Sequence, residues 1–171
     1  MKVAVITPYY DEPIEWLRKC HYSVAAQDMC CTHIMIADGR PRKEVDQWAV
    51  RHIPMPYSHN DFGDTARSIG VTDAIGAHFD AIAFLDADNW FAPNHISSLM
   101  QCAQKTGAAI VSSGRLFCRM DTSVMGQCLN SDGDNFSDTN CLLFTKSAFR
   151  QANEWVYVPP YAHGIGDRVL W

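Results

Sequence analysis

Short apolar, β-branched runs alternate with stretches of helical period along most of this chain, and no other feature restricts its architecture as much. Lys2–Thr7 is a strand-like run stopped by Pro8, and the stretch from Pro13 to about Gln27 puts Ile14, Leu17, Cys20 and Val24 on one helical face. Thr32–Ala37 reads as a second strand ending at Asp38–Gly39, and Pro41 to about Arg51 as a helix with Val45 and Trp48 inward. Ile53–Tyr57 is too rich in proline for a central strand, so an edge or a loop is expected there. From Gly63 to Phe79, Ala66, Ile69, Ala74 and Ala77 recur at three- and four-residue spacing, which predicts a helix packed closely on a sheet. Asp80–Leu85 is then a buried central strand, followed by a helix from about Pro93 to Lys105 and a strand at Ala108–Ser112. This alternation predicts an α/β fold, a mostly parallel, doubly wound, Rossmann-like sheet with helices on both faces. After Ser113 the rhythm changes: short strands around Leu116–Met120 and Cys141–Thr145 flank a polar stretch, NSDGDNFSDTN, read as an exposed loop. HGIGDRVLW reads as the beginning of a helix, and an end on apolar Trp171 is expected of a truncated chain.

At 171 residues the chain suits one domain with a single sizeable core. Its net charge of −5 argues against nucleic acid as a partner, because phosphate backbones need clustered lysine and arginine. Its longest apolar stretches are strand-sized, so no transmembrane segment is expected, and the N-terminus lacks the apolar region of a signal peptide. Seven cysteines, an odd number with no C-x-x-C pair, point to reduced thiols in a cytoplasmic protein. The acidic side chains are fifteen Asp and only four Glu. Asp favours turns, caps and strand ends, so the bias places carboxylates in loops, where ligands and metals are met.

In an open α/β sheet the ligand sits beyond the carboxyl ends of the strands. Four polar clusters fall at such ends here: Pro8–Glu12, Asp38–Gly39, Asp86–Asn89 and Ser112–Gly114. The strongest local signal is AIAFLDADNWF, in which a buried strand delivers Asp86 and Asp88 onto one rim. Two hard carboxylates held this way suit Mg2+ or Mn2+, which keep other positions for phosphate oxygens and water. The plainer alternative makes Asp88 a cap of the turn before the next helix and leaves Asp86 facing water.

The ordered set VAVITPYYDEP, IMIADG and GDTARSIGVTDAIGAHFDAIAFLDADN resembles the nucleotide-sugar glycosyltransferases of family 2, which have the GT-A fold. The resemblance covers roughly residues 2–100, and DTNCLLFTKSAF follows the family more loosely. It implies a single GT-A-type domain, with about residues 1–112 binding the nucleotide-sugar donor and about 113–171 forming the acceptor side. By the same resemblance Pro8, Tyr9 and Tyr10 wrap the nucleoside base, Glu12 takes the family's acidic position, and Asp38 meets the uracil edge of a UDP-linked donor. Arg67 approaches the nucleotide, Asp86 faces the ribose or a metal-bound water, and Asp88 ligates the Mn2+ or Mg2+ that bridges the two phosphates.

Inverting relatives place an acidic base about 80 residues after the D-x-D; here Asp167 stands 79 residues beyond Asp88, with a helix N-cap as its other reading. His163 is a candidate third metal ligand, or an ordinary surface histidine. The chain departs from the family pattern at Asp11, Ala37, Arg40 and Gly166, where Asn, Asp, Ser and Glu are usual. Two other readings stay open. FLDAD also resembles the first motif of haloacid-dehalogenase-type phosphatases, with Asp86 as nucleophile. The chain also fits a non-catalytic nucleotide-sugar-binding fragment.

Overall fold

The computed structural model describes residues 1–119 and 121–170. Its main sheet has six strands: β1 (Val3–Tyr9), β2 (Cys31–Ala37), β3 (Arg51–Pro54), β4 (Ala81–Phe84), β5 (Ile110–Ser112) and β8 (Leu142–Thr145). They lie in the order β3-β2-β1-β4-β8-β5. β3, β2, β1 and β4 run parallel, and β8 inserts antiparallel between β4 and β5. The chain thus winds outward from β1 to one edge and resumes at β4 on the other side. That reversal opens a crevice at the carboxyl ends of β1 and β4.

Strand alternation divides the core between the two faces of the sheet. Ala4, Ile6, Ile34, Ile36, Ile82 and Phe84 point to the face covered by helix α2 (Asp64–Gly76). Short helix α4 (Phe149–Ala152) and Trp155 complete that layer. Val3, Val5, Ala81, Ala83 and Leu143 point to the other face, against α1 (Ile14–Ala25) and α3 (His95–Thr106). Glycine brings α2 close to the sheet: a Cβ at Gly70 would stand 2.5 Å from Ile6 Cγ2 and 2.9 Å from Ile36 Cδ1.

Three segments differ from the sequence expectation. No α-helix forms from Pro41; the connection holds only a 3-10 turn, Val45–Gln47, with Trp48 extended beyond it. The Trp48 ring lies flat on His21, 5.3 Å away, so packing of that ring outweighs the local helical period. The polar stretch before β8 is not simply exposed: Ser131, Phe136, Ser137, Asp138 and Thr139 are buried. A strand absent from the sequence reading, β7 (Val124–Gln127), pairs antiparallel with β6 (Leu116–Cys118). Met120 and Trp171, both named in the sequence reading, lie outside the described residues. The remaining helix, α5 (Gly166–Leu170), follows a 3-10 segment, Pro160–Ile165.

Beneath the site end of β1 lies a buried polar cluster. His33 Nε2 meets Thr7 Oγ1 at 2.8 Å, and its Nδ1 meets His21 Nδ1 at 3.2 Å. Burial, with the facing His21, pushes the His33 imidazole down to about 3.

Gly70→Ala is expected to destabilise the protein by about 1–3 kcal/mol in urea unfolding, because overpacking outweighs the gain in helix propensity. His33 binds fewer protons folded than unfolded, where its pKa is about 6.5. Its contribution to stability is therefore complete above about pH 6.5 and is lost as pH falls toward 3. Urea titrations across that window should show a His33-dependent slope of up to about 1.4 kcal/mol per pH unit, and His33→Gln should flatten it. An identical slope in the variant would refute the assignment.

Candidate functional site

The crevice at the strand reversal is a cleft of about 490 Å3. Pro8, Tyr9, Tyr10, Glu12, Asp38, Arg67, Asp86 and Asp88, which the sequence singles out, all line it, as do Trp16, Ser58 and Phe62. They arrive from the ends of β1, β2 and β4, from the first turns of α1 and α2 and from the loop before α2, so the fold brings together residues up to 80 positions apart.

The Tyr9 hydroxyl is locked, 2.7 Å from His52 Nε2 and accepting the Arg42 amide at 3.0 Å, and burial pushes its pKa up to about 12. Tyr10 is more open, with the Arg40 guanidinium 4.7 Å from its ring centroid. Arg40 and Arg42 both donate to Asp11 at 2.9 Å, which ties the loop after β1 to the loop after β2. Glu12 accepts the Tyr10 amide at 2.7 Å.

Asp38 is buried at the end of β2. It accepts the Ser58 hydroxyl at 3.0 Å and the His59 amide at 2.9 Å. The neighbouring Gly39 has φ +79°, and a Cβ there would lie 2.3 Å from the Ser58 nitrogen. Only glycine fits that turn, which lets the chain around Ser58 reach Asp38.

Arg67 is the electrostatic centre of the cleft, although its side chain is only 9% exposed. Its Nη2 donates to Asp86 Oδ1 at 2.5 Å, and its Nη1 donates to the Phe62 carbonyl at 2.9 Å. Asp64 lies one turn before it on α2, 3.5 Å from Nη1, and the Trp155 ring lies 4.7 Å from the guanidinium carbon. A buried guanidinium is tolerable only with such carboxylate and hydrogen-bonding partners. Asp86 is held on its other side by Asn140, whose amide donates to Oδ2 at 3.0 Å and accepts the Asp86 N–H at 2.6 Å.

Asp88 stands in contrast. Burial, with the Asp86 charge next, raises its carboxyl above the ordinary range, and Glu12 and Asp138 push it the same way. Its Oδ1 accepts the Asn89 side-chain amide at 2.9 Å. A carboxylate surrounded by others of its own sign is a natural cation ligand. Among the described residues no three His, Cys, Asp or Glu side chains converge as a cage. The Asp86–Asp88 pair matches the sparser manner of Mg2+ or Mn2+, which take one or two carboxylates and complete their shell with phosphate and water.

His163 and Asp167 lie outside the cleft lining. His163 Nδ1 sits 2.7 Å from Asp64 Oδ2, where burial raises the Asp64 carboxyl against the pull of His163 and Arg67. Asp167 opens onto a separate cavity of about 220 Å3, together with Thr139, Glu154 and Trp155. Burial raises its carboxyl, and the charges of Asp138 and Asp86 add to that shift. Sequence reasoning missed Ser58, Asn140 and Trp155. Each acts through a contact with a residue far along the chain, which no local pattern carries.

The comparisons extend this geometry. The sequence model described as "Glycosyl transferase family 2" matches residues 4–165. Curated protein sequences show no match. Among solved structures, residues 1–349 of TarS from S. aureus superpose with a TM-score of 0.70 at 11% identity, over 99% of this chain and 54% of that one. The same protein in complex with UDP-GlcNAc gives a TM-score of 0.69 at 10% identity, over 99% of this chain and 52% of that one. The mannosyltransferase PcManGT from Pyrobaculum calidifontis, in complex with GDP-Man and Mn2+, gives 0.65 at 13% identity, over 87% and 46%. The chain thus spans about half the length of these structures. Identities this low establish the fold alone, which is GT-A. The family rests on the sequence match across residues 4–165, and by it the chain belongs to glycosyl transferase family 2.

Proposed function

We propose that this chain carries the donor site of a metal-dependent glycosyltransferase that moves a sugar from a UDP-linked donor to an acceptor hydroxyl. The observation that carries the reading is the convergence of Pro8, Tyr9, Tyr10, Glu12, Asp38, Arg67, Asp86 and Asp88 on one cleft at the strand reversal. The UDP-GlcNAc and GDP-Man bound in the matched structures support a nucleotide sugar as the ligand, and the Mn2+ in one of them supports a divalent metal. About residues 1–112 form the donor part and about 113–171 the acceptor side, and an odd number of cysteines with no C-x-x-C pair fits a cytoplasmic location.

The residues divide the work by their chemistry. Tyr9 and Pro8 wall the base pocket, Tyr10 supplies an open ring edge, and Asp38 presents a carboxylate to the base. Asp88, with Asp86, would hold Mn2+ or Mg2+, which when bound offsets charge on the diphosphate leaving group. Arg67 grips Asp86 and aims it at the ribose side of the cleft. Asp167 is the base that takes the acceptor proton; its raised carboxyl matches that task better than an ordinary one. His163 orients Asp64, and through it Arg67, in preference to ligating the metal.

A phosphatase mechanism through Asp86 is disfavoured, because the sequence match to glycosyl transferase family 2 runs across residues 4–165 and takes in the Asp86–Asp88 segment. One observation favours a second reading, in which the chain binds donor without transferring sugar: it spans about half of the matched structures.

Calorimetric titration with UDP tests the donor site. Affinity is expected to rise with Mn2+, with GDP binding more weakly, and Asp88→Asn should abolish most of the metal-dependent gain, about tenfold or more. Equal UDP affinity with and without metal, in both proteins, would refute the metal-dependent reading. A second experiment addresses catalysis. Asp167→Asn should leave UDP–Mn2+ affinity unchanged and lower sugar transfer by about 10²–10⁴-fold. Unchanged turnover would remove Asp167 from the base role, and donor binding with no transfer by the unmodified chain would favour the second reading.

A further inference from the structure

The contacts that end on Asp86 begin well outside the cleft. Arg115, just before β6, is ion-paired with Asp138. The Asp138 amide is fixed by the Ser131 hydroxyl at 3.1 Å, and its Oδ1 accepts both the backbone amide of Asn140 at 3.0 Å and the Asn140 side-chain Nδ2 at 2.7 Å. The same Nδ2 donates its other proton to Asp86 Oδ2 at 3.0 Å, and Asn140 Oδ1 accepts the Asp86 N–H at 2.6 Å.

All three hydrogen-bonding positions of the Asn140 amide that face protein are therefore satisfied, with both donors on carboxylates and the acceptor on an N–H. The flipped amide would set its oxygen against two carboxylates and its NH2 against an N–H, so this orientation is dictated by the partners. Asn140 does not line the cleft, so it has no direct part in holding a nucleotide. It grips Asp86 opposite Arg67, and between them the two residues set both carboxylate oxygens and the first peptide of the turn that leads to Asp88.

We propose that Asn140 is a positioning residue for the donor site: anchored by the Arg115–Asp138 pair, it sets the direction of the Asp86 carboxylate and the course of the Asp86–Asp88 turn. The residues after 113 thus reach back to shape the donor half. The inference rests on the glycosyltransferase reading for its consequence in nucleotide binding, and on the geometry alone for the hold on Asp86.

The test has two arms. In the first, UDP is titrated into the full chain with Mn2+ for the wild type, Asn140→Ala, Asp86→Ala and the double variant. Asn140→Ala should weaken binding about tenfold, and should cost little more in the Asp86→Ala background, since it acts through Asp86. Losses that multiply in the double variant, or no loss in Asn140→Ala, would overturn the proposal. In the second arm, the Asp86 amide is followed by NMR without ligand. Asn140→Ala should shift that amide upfield and speed its exchange while the β4 amides stay in place. The uncharged Asn140→Ser, which is too short to reach Asp86, should shift the amide in the same way and bind UDP as weakly as the alanine variant. It also serves if Asn140→Ala fails to fold. An unmoved Asp86 amide in Asn140→Ala refutes the hold on Asp86. A wild type that does not bind UDP with Mn2+ refutes the donor-site reading, and the nucleotide part of this proposal with it.

Discussion

The ion pair between Arg67 and Asp86 joins the two elements on which the cleft depends. Arg67 comes from the first turns of α2, and Asp86 from just beyond β4. A guanidinium this buried demands compensation, and it receives it from Asp86, from Asp64, from the Phe62 carbonyl and from the face of Trp155. Removing any one partner leaves a desolvated charge, so the local structure is held to one arrangement. α2 can approach closely enough to supply Arg67 because Gly70 lies against Ile6 and Ile36. Packing on the sheet and charge in the cleft are thus coupled through one helix.

The distribution of negative charge around this pair is uneven in a consistent way. Asp38 spends its oxygens on Ser58 and His59, Asp11 on two arginines, and Asp86 on Arg67 and Asn140. Asp88 is pressed by Asp86, Glu12 and Asp138 instead. The surplus of Asp over Glu therefore resolves mostly into turns and ion pairs, with Asp88 left as the carboxylate whose surroundings best suit a cation.

Strands β1, β2 and β4 are legible because a buried parallel sheet writes itself as short apolar runs. The helices at Pro13, Gly63 and Pro93 were legible because they have an apolar stripe and a start signal. The stretch from Pro41 carries a similar stripe and does not form a helix. Its Trp48 finds a better surface on His21 than along its own axis. The polar run before β8 reads as solvent-exposed loop because serine, aspartate and asparagine are common there. Several of its residues are nevertheless buried, and Asp138 and Asn140 serve as hydrogen-bonding hardware behind Asp86. Composition reports polarity, and a buried polar network has the same composition as a wet loop.

The sequence by itself determined the alternating α/β plan and the arrival of carboxylates at the strand ends. Both are written in periodicities of two and about 3.6 residues, which are local. It also holds the ordered motifs that carry the family resemblance. Tertiary structure alone decided which carboxylates are neutralised. Whether Asp86 meets Arg67, whether Asn140 meets Asp86 54 positions away, and whether His163 meets Asp64 99 positions away depend on strand order and on helices closing over the sheet. Those pairings set the local field, and the field falls off over a few ångströms in space without regard to separation along the chain.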